Sequence, residues 1–327
     1  DPDRSQVVTN AGRISSWVAF QAKVRLHLEA QRHGNGAGLR ILTETITSPT
    51  LAEQFRGLLA EFPKAQWHQW EPAGRDAVRA GARLAFGAPV NTYYRLDRAD
   101  VILSLDADFL SSGPGTLRYT REFAGRRRPK AAPHGSPAAG HAAATAQAPP
   151  AKDQPAAAHG AQAGEAAHTA ALQAAAPAAP AGMNRLYVVE TTPSNTGAKA
   201  DHRLPLRATE MEGLARAVAR GLGLAVSGET PAAHSKWIAA VVKDLQSHRG
   251  SSLVLAGDEQ PPAVHALAHL MNQALGNTGQ TVVHTEPVEA NPVDQFQSLR
   301  DLVRDMEAGN VEFLVILGAN PVFTAPA

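Results

Sequence analysis

This chain of 327 residues contains no cysteine. That absence excludes disulfides, cysteine-ligated zinc, a cysteine nucleophile and thiolate-held iron–sulfur clusters within these residues. Long apolar runs are missing too, for none reaches the roughly 18 residues that read as a bilayer-spanning helix. The first residues, from Asp1, show neither a basic n-region nor an apolar h-region. Aromatic residues make up only 5%, no basic face interleaves with them, and the formal net charge is +1. Nucleic acid is therefore not an expected partner.

Hydrophobic residues account for 44% and charged residues for 19%, so sizeable cores can be buried. The length points to about two domains. One pattern occurs twice: a short apolar run that stops at a polar, glycine-containing loop. Val101 to Leu105 leads into Asp106-Ala-Asp108 and on to Gly113-Pro-Gly115, and Phe313 to Leu317 leads into Gly318-Ala-Asn320. Short runs that are nearly uninterrupted in apolar residues and bounded by turn formers suit parallel strands covered on both faces. In such sheets ligands bind beyond the carboxyl ends of the strands, which is where Asp106, Asp108, Gly113, Gly115, Gly318 and Asn320 are expected.

The fold class read from this pattern is α/β, with two doubly wound, mostly parallel Rossmann-like blocks. Residues 1–38 form an N-terminal segment, 39–207 a first block and 208–327 a second one that continues past the last residue. The first block reads as strands near 40–43, 65–70, 101–105 and 186–190, with helices near 49–61, 75–86 and 116–126. Ser48 before Pro49 makes a good helix start, because proline loses nothing at the first helical position. The second block reads as helices near 210–221, 232–248, 261–275 and 294–308, with strands near 252–256, 281–284 and 313–317. Gly250, Gly276 and Gly309 stand where its helices should stop. Inside the first block, residues 131–182 shift to Ala, Pro, Gly, Gln and His, with Leu172 the only larger apolar side chain. Such a stretch buries too little surface to offset its ordering entropy and is expected to be a disordered insertion within the first block. Its His134, His141, His159 and His168 read as linker residues, not metal ligands. The sequence stops at 321–327, right after a strand and before its covering helix, which implies a piece of a longer protein.

No catalytic set is complete. Asp106 and Asp108 resemble the carboxylate pair of haloacid-dehalogenase-type phosphatases, but Leu110 stands where that family wants threonine, so capping of backbone N–H groups is the favoured role. Ser112-Gly-Pro-Gly115 is a turn into a helix that could hold an anion, and it is no dinucleotide fingerprint. Gly34-Asn-Gly-Ala-Gly38 precedes its strand and reads as a plain loop. His265 and His269 share a helix face, yet Ala266 replaces the glutamate of a zinc peptidase, so surface or core-edge histidines are expected. Trp67 and Trp70, flanking His68, read as packing residues. No G-x-S-x-G elbow is present. No residue is assigned as catalytic, cofactor-binding or metal-binding.

The segments 101–110, 183–197, 200–207 and 317–321 resemble the molybdopterin oxidoreductase superfamily. More closely, with Ala256-Gly-Asp-Glu-Gln-Pro-Pro262 and Glu286-Pro-Val-Glu-Ala-Asn-Pro292, they resemble the molybdopterin-oxidoreductase-like part of the large iron–sulfur subunit of bacterial alternative complex III. The likeness covers nearly everything outside the Ala/Pro-rich stretch. It implies a complex that oxidises membrane quinol and passes electrons to cytochrome c or a terminal oxidase. It further implies iron–sulfur clusters in a cysteine-rich part of that large subunit, one that is not among these residues. The molybdopterin-like portion of that family lacks the molybdenum cofactor, and no Cys, Ser or Asp stands out here as a metal ligand. The expectation is a non-catalytic scaffold region with no cofactor of its own, peripheral on the periplasmic face of the inner membrane. Its expected partners are integral membrane quinol-binding subunits and haem c subunits. The alternatives are a fragment of an active molybdopterin-dependent oxidoreductase and a metal-dependent phosphotransferase using Asp106 and Asp108.

Overall fold

The computed structural model describes residues 7–128, 182–228 and 232–325. The expected insertion at 131–182, including its four histidines, lies outside the described residues except for Gly182. The chain starts with a hairpin, β1 (Val8–Asn10) and β2 (Arg13–Ser15), followed by helix α1 (Trp17–Arg32). Then come β3 (Leu39–Thr43), α2 (Pro49–Glu61), β4 (Gln66–Gln69), α3 (Asp76–Phe86) and β5 (Asn91–Tyr94). The middle of the chain supplies β6 (Val101–Leu105), α4 (Thr116–Arg126), β7 (Arg185–Glu190), β8 (His202–Pro205), α5 (Ala208–Gly221) and α6 (Ser235–Ser247). The last elements are β9 (Ser252–Ala256), α7 (Pro262–Ala274), β10 (Val282–Thr285), α8 (Gln295–Glu307), β11 (Phe313–Leu317) and the short α9 (Pro321–Thr324).

The architecture is α/β with parallel sheets. One has four strands in the order β8-β7-β6-β9, and the other has three in the order β11-β3-β4. In β6 all five residues are buried, as a strand covered on both faces requires. Its alternate side chains serve different cores. Leu103 and Leu105 pack with Met211 and Leu214 of α5, Val241 and Leu245 of α6, and Val264 of α7. Ile102 turns to the opposite face, against Phe109, Phe123 of α4 and Leu186. In β3, likewise, Leu39 and Ile41 meet Phe55 of α2 and Phe62, whereas Leu42 meets Leu299 and Leu302 of α8. Each fully buried leucine or isoleucine contributes roughly 1.5–3 kcal/mol, so these cores set the sheet positions.

Most elements fall where the sequence puts them, but sheet membership cuts across the sequential division at 207/208. β3 and β4 pair with β11 from the far end of the chain, and β6 pairs with both β7 and β9. The expectation that 40–43 and 65–70 share a sheet with 101–105 is thus corrected. The expected strand at 281–284 is corrected as well, because β10 joins no parallel sheet and pairs antiparallel with β5 in a two-stranded ribbon. The physical reason is common to both. Composition and period identify a short strand without naming its neighbour: neither the buried Leu39–Thr43, nor the polar Gln66–Gln69, nor the half-buried Val282–Thr285 carries a mark of its partner. Gly276 and Gly309 do sit just past α7 and α8 with φ of 72° and 71°, the left-handed conformation that ends a helix.

Candidate functional site

The carboxyl ends of β6, β7 and β9 meet on one edge of the four-stranded sheet, and the loops that follow them carry its polar groups. Directly after β6 the chain turns sharply at Asp106, which holds φ of 58°. Aspartate tolerates that left-handed conformation better than most residues because its short side chain can hydrogen-bond locally. Buried Ser104 fixes the turn from below: its Oγ donates to the Ala107 carbonyl at 2.9 Å and accepts from the Ala107 N–H at 3.1 Å. Gly257, just past β9, lies against the Asp106 carbonyl so closely that a Cβ would overlap it.

Both carboxylates of the Asp-Ala-Asp pair are bonded by the protein itself. Asp106 Oδ1 accepts from the Thr191 N–H at 3.0 Å, and Oδ2 accepts from Thr191 Oγ1 at 3.0 Å and Gln260 Nε2 at 2.9 Å. Asp108 Oδ1 accepts from the Thr196 N–H at 2.9 Å and Thr196 Oγ1 at 2.7 Å. Thr196 Oγ1 in turn accepts from the N–H of Leu110 at 3.2 Å, the position where a dehalogenase-type threonine would stand. These contacts agree with the capping role favoured for the pair. Glu190, buried at the end of β7, accepts from Ser194 N–H and Oγ and from Arg203 Nε, and Gly197 leaves room for it.

The rim also carries an ion pair between distant parts of the chain. Arg75 donates through Nε and Nη2 to Asp258 Oδ2 and Oδ1 at 3.1 and 3.2 Å. Gly113, with φ of 84°, faces this carboxylate. Beneath it, burial holds His265 below the ordinary histidine pKa, and the Arg75 charge lowers it further while Asp258 raises it. Burial also pushes the phenols of Tyr94 and Tyr119 upward, with Tyr119 Oη accepting from the Tyr94 N–H at 3.3 Å. Two buried atoms of this edge lack a hydrogen-bond partner, Gln260 Oε1 and His265 Nε2.

Gly318 and Asn320 stand at the end of β11, on the three-stranded sheet, so the two polar loops singled out in the sequence cap different sheets. Asn320 caps α9 through backbone contacts, and Thr324 of that turn accepts from Trp70 Nε1 at 3.1 Å. Trp67 stacks on Phe55 with ring centroids 4.4 Å apart and donates to Thr43 Oγ1, the packing role expected for it. In the 34–38 loop, Gly36 takes φ of 81° and a Cβ there would come within 2.7 Å of Phe62 Cβ. Of the surface or core-edge placement expected for His265 and His269, the structure shows the second: both are buried, on the face of α7 turned toward α3 and β10. Helix amphipathicity alone could have indicated this, since they share the i, i+4 stripe that leads on to Asn272.

Among the described residues no group of three or more His, Asp or Glu could hold a metal ion. Asp106, Asp108 Oδ1 and Glu190 accept hydrogen bonds from backbone and side-chain donors of the same chain. No family model matches the chain, and no curated protein matches it.

Proposed function

We propose that this chain is a non-catalytic scaffold region of an electron-transfer subunit in a quinol-oxidising membrane complex of the alternative complex III kind. In this reading it is a relic of a molybdopterin-binding module of the molybdopterin oxidoreductase type. The observation that carries it is the self-satisfaction of the carboxyl edge. Asp106, Asp108 and Glu190 project where an α/β sheet binds its ligand, and each is bonded instead to threonine, serine, glutamine or arginine of the same chain. Loops that once surrounded a cofactor have become turns that lock strand ends together.

The sequence likeness supplies the rest of the proposal. The electron-transfer subunit sits on the periplasmic face of the inner membrane, bound to integral quinol-binding subunits and near haem c subunits, and its iron–sulfur clusters lie in a cysteine-rich part outside these residues. Large exposed apolar side chains support a life in an assembly. Trp17 and Val18 on α1 are 67% and 78% exposed, and Val322 and Phe323 on α9 are 98% and 86% exposed.

Elemental analysis and pterin fluorescence on the purified complex test this reading. Iron at cluster stoichiometry with neither molybdenum nor tungsten is the expected result. Stoichiometric molybdenum or tungsten with a fluorescent pterin would overturn it. That outcome would favour the second reading, a fragment of an active molybdopterin-dependent oxidoreductase, to which the unpartnered Gln260 Oε1 and His265 Nε2 lend their support.

A further inference from the structure

The chain passes between its two parallel sheets twice. The first connector, from β4 to β6, carries α3 and β5, and the second, from β9 to β11, carries α7, β10 and α8. The connectors pack on each other element by element. α3 lies on α7 so closely that a Cβ on Gly81 would overlap His265 Cβ and come within 2.8 Å of the Pro262 carbonyl. β5 pairs with β10 from Asn91 with Thr285 to Tyr94 with Val282. Any movement of one sheet against the other must pass through this double crossing.

Three histidines stand in it. His265 and His269 project from α7, and His284 comes from β10. The rings of His269 and His284 have centroids 5.4 Å apart, and both meet Phe86, the last residue of α3, at 5.0 and 4.8 Å. His284 Nδ1 lies 3.1 Å from Thr92 Oγ1 of β5, and His265 Nε2 is buried without a partner. A cluster that touches α3, β5, α7 and β10 is placed where charging it would push them apart.

We propose that this crossing is a pH-sensitive coupling: protonation of the His265, His269 and His284 cluster loosens the two connectors from each other and frees the sheets to move independently.

The charged neighbours decide the sign. His265 faces Asp258 and Arg75, which are paired with each other across the connectors. On α3, Arg79 is engaged by Asp76 and Glu289, and Arg83 donates to the Pro292 carbonyl. The charges that act on His269 are His284 and His265, with no carboxylate among them. α5 packs on the other side of α7 through apolar residues, Leu214 and Val218 against Val264 and Met271. A proton arriving on His269 thus finds burial and like charge, which hold its pKa at about 4, and His265 and His284 are lowered by burial as well. The open state binds protons more tightly than the closed one, so acidification favours opening.

Hydrogen exchange on the intact chain, corrected for the intrinsic rate at each pH, reads this directly. Between about pH 7.5 and pH 5, His269 alone should raise opening on the order of 30-fold, seen in peptides covering α3, β5, α7 and β10 while β6 and β7 keep their protection. In His269→Leu the pH effect should shrink to a few-fold. Equal protection at both pH values would overturn the proposal. So would loss spread evenly over β6 and β7, or an undiminished effect in His269→Leu. Should that variant not fold, ring-carbon NMR of the unaltered protein decides: a His269 midpoint well below 6.5 sustains the coupling, and one at or above 6.5 overturns it.

Discussion

Asp108 and Thr196, 88 residues apart, close the carboxyl edge of the four-stranded sheet through a single carboxylate oxygen that accepts both the N–H and the Oγ1–H of the threonine. Because Thr196 Oγ1 also receives the Leu110 N–H, removing the carboxylate takes two bonds out of a chain of three. Thr196 is fully buried, so its freed donors would find no water. Asp108→Ala should cost about 1–3 kcal/mol in chemical denaturation, whereas Asp108→Asn, which keeps an acceptor oxygen, should lose less than half as much. Equal losses for both variants would show that charge matters here more than acceptor geometry.

Gly257 makes the opposite kind of contact, one defined by a missing atom. A Cβ at this position would overlap the Asp106 carbonyl oxygen and lie 2.8 Å from its carbon. Neither side can yield easily, for Asp106 is held in its left-handed turn by Thr191 and Gln260, and the Gly257 N–H is bonded to the Leu105 carbonyl at 2.9 Å. Gly257→Ala should therefore cost more than about 4 kcal/mol, far above the usual effect of an alanine substitution. A thermal melt would register this as a large fall in Tm or as failure to accumulate folded protein, and a change below about 1 kcal/mol would refute the close approach.

The extent of what the sequence conveyed follows from the physics of each signal. Val101–Leu105, Ser252–Ala256 and Phe313–Leu317 were readable to the residue, because each is a short, nearly uninterrupted apolar run bounded by turn formers; the first two are buried, whereas the edge strand β11 is only half-buried. The start of α2 was readable for a local reason too, with Ser48 Oγ accepting the Leu51 N–H ahead of Pro49. Pairing was not readable. β3 finds β11 from the far end of the chain by shape and burial, and neither strand carries a mark of its partner. The ribbon of β5 and β10 escaped for a related reason: Asn91 to Tyr94 is half-buried and polar enough to pass for a loop. At the candidate site, the identity of the carboxylates was legible and the identity of their donors was not, since Thr191, Thr196 and Gln260 become relevant only once three loops converge.

His68 gives a pH prediction on the other sheet. It is buried on β4, its Nδ1 lies 2.9 Å from the Ser298 carbonyl of α8, and burial lowers its pKa below 6.5 with Arg40 adding to the effect. The folded state thus holds it neutral while the unfolded chain protonates it near 6.5, so unfolding takes up a proton. Stability carried by His68 is present above that value and declines as pH falls through it toward the lowered folded pKa. Urea denaturation of wild type and His68→Phe between about pH 7.5 and 5 should show a shallower acid decline in the variant. Parallel declines would mean that His68 is protonated in the native state as well.

Asp106 offers a sharper discrimination between turn former and nucleophile. Its oxygens meet three donors, and its partner Gln260 keeps Oε1 free of any hydrogen bond. In Asp106→Asn the new amide would confront Gln260 Nε2 donor to donor, but a flip of the Gln260 amide presents the free oxygen and restores the bond. Asn also tolerates the left-handed backbone that Asp106 adopts at φ of 58°. Asp106→Asn should then cost under about 1 kcal/mol, and Asp106→Leu about 3 kcal/mol or more, since it strands the Thr191 and Gln260 donors and strains the turn. Neither variant should change the turnover of a phosphate ester in the presence of Mg²⁺, because none is expected from the unaltered chain. Mg²⁺-dependent hydrolysis that vanished in a stably folded Asp106→Asn would instead assign the residue to catalysis and remove the basis for reading this edge as structural.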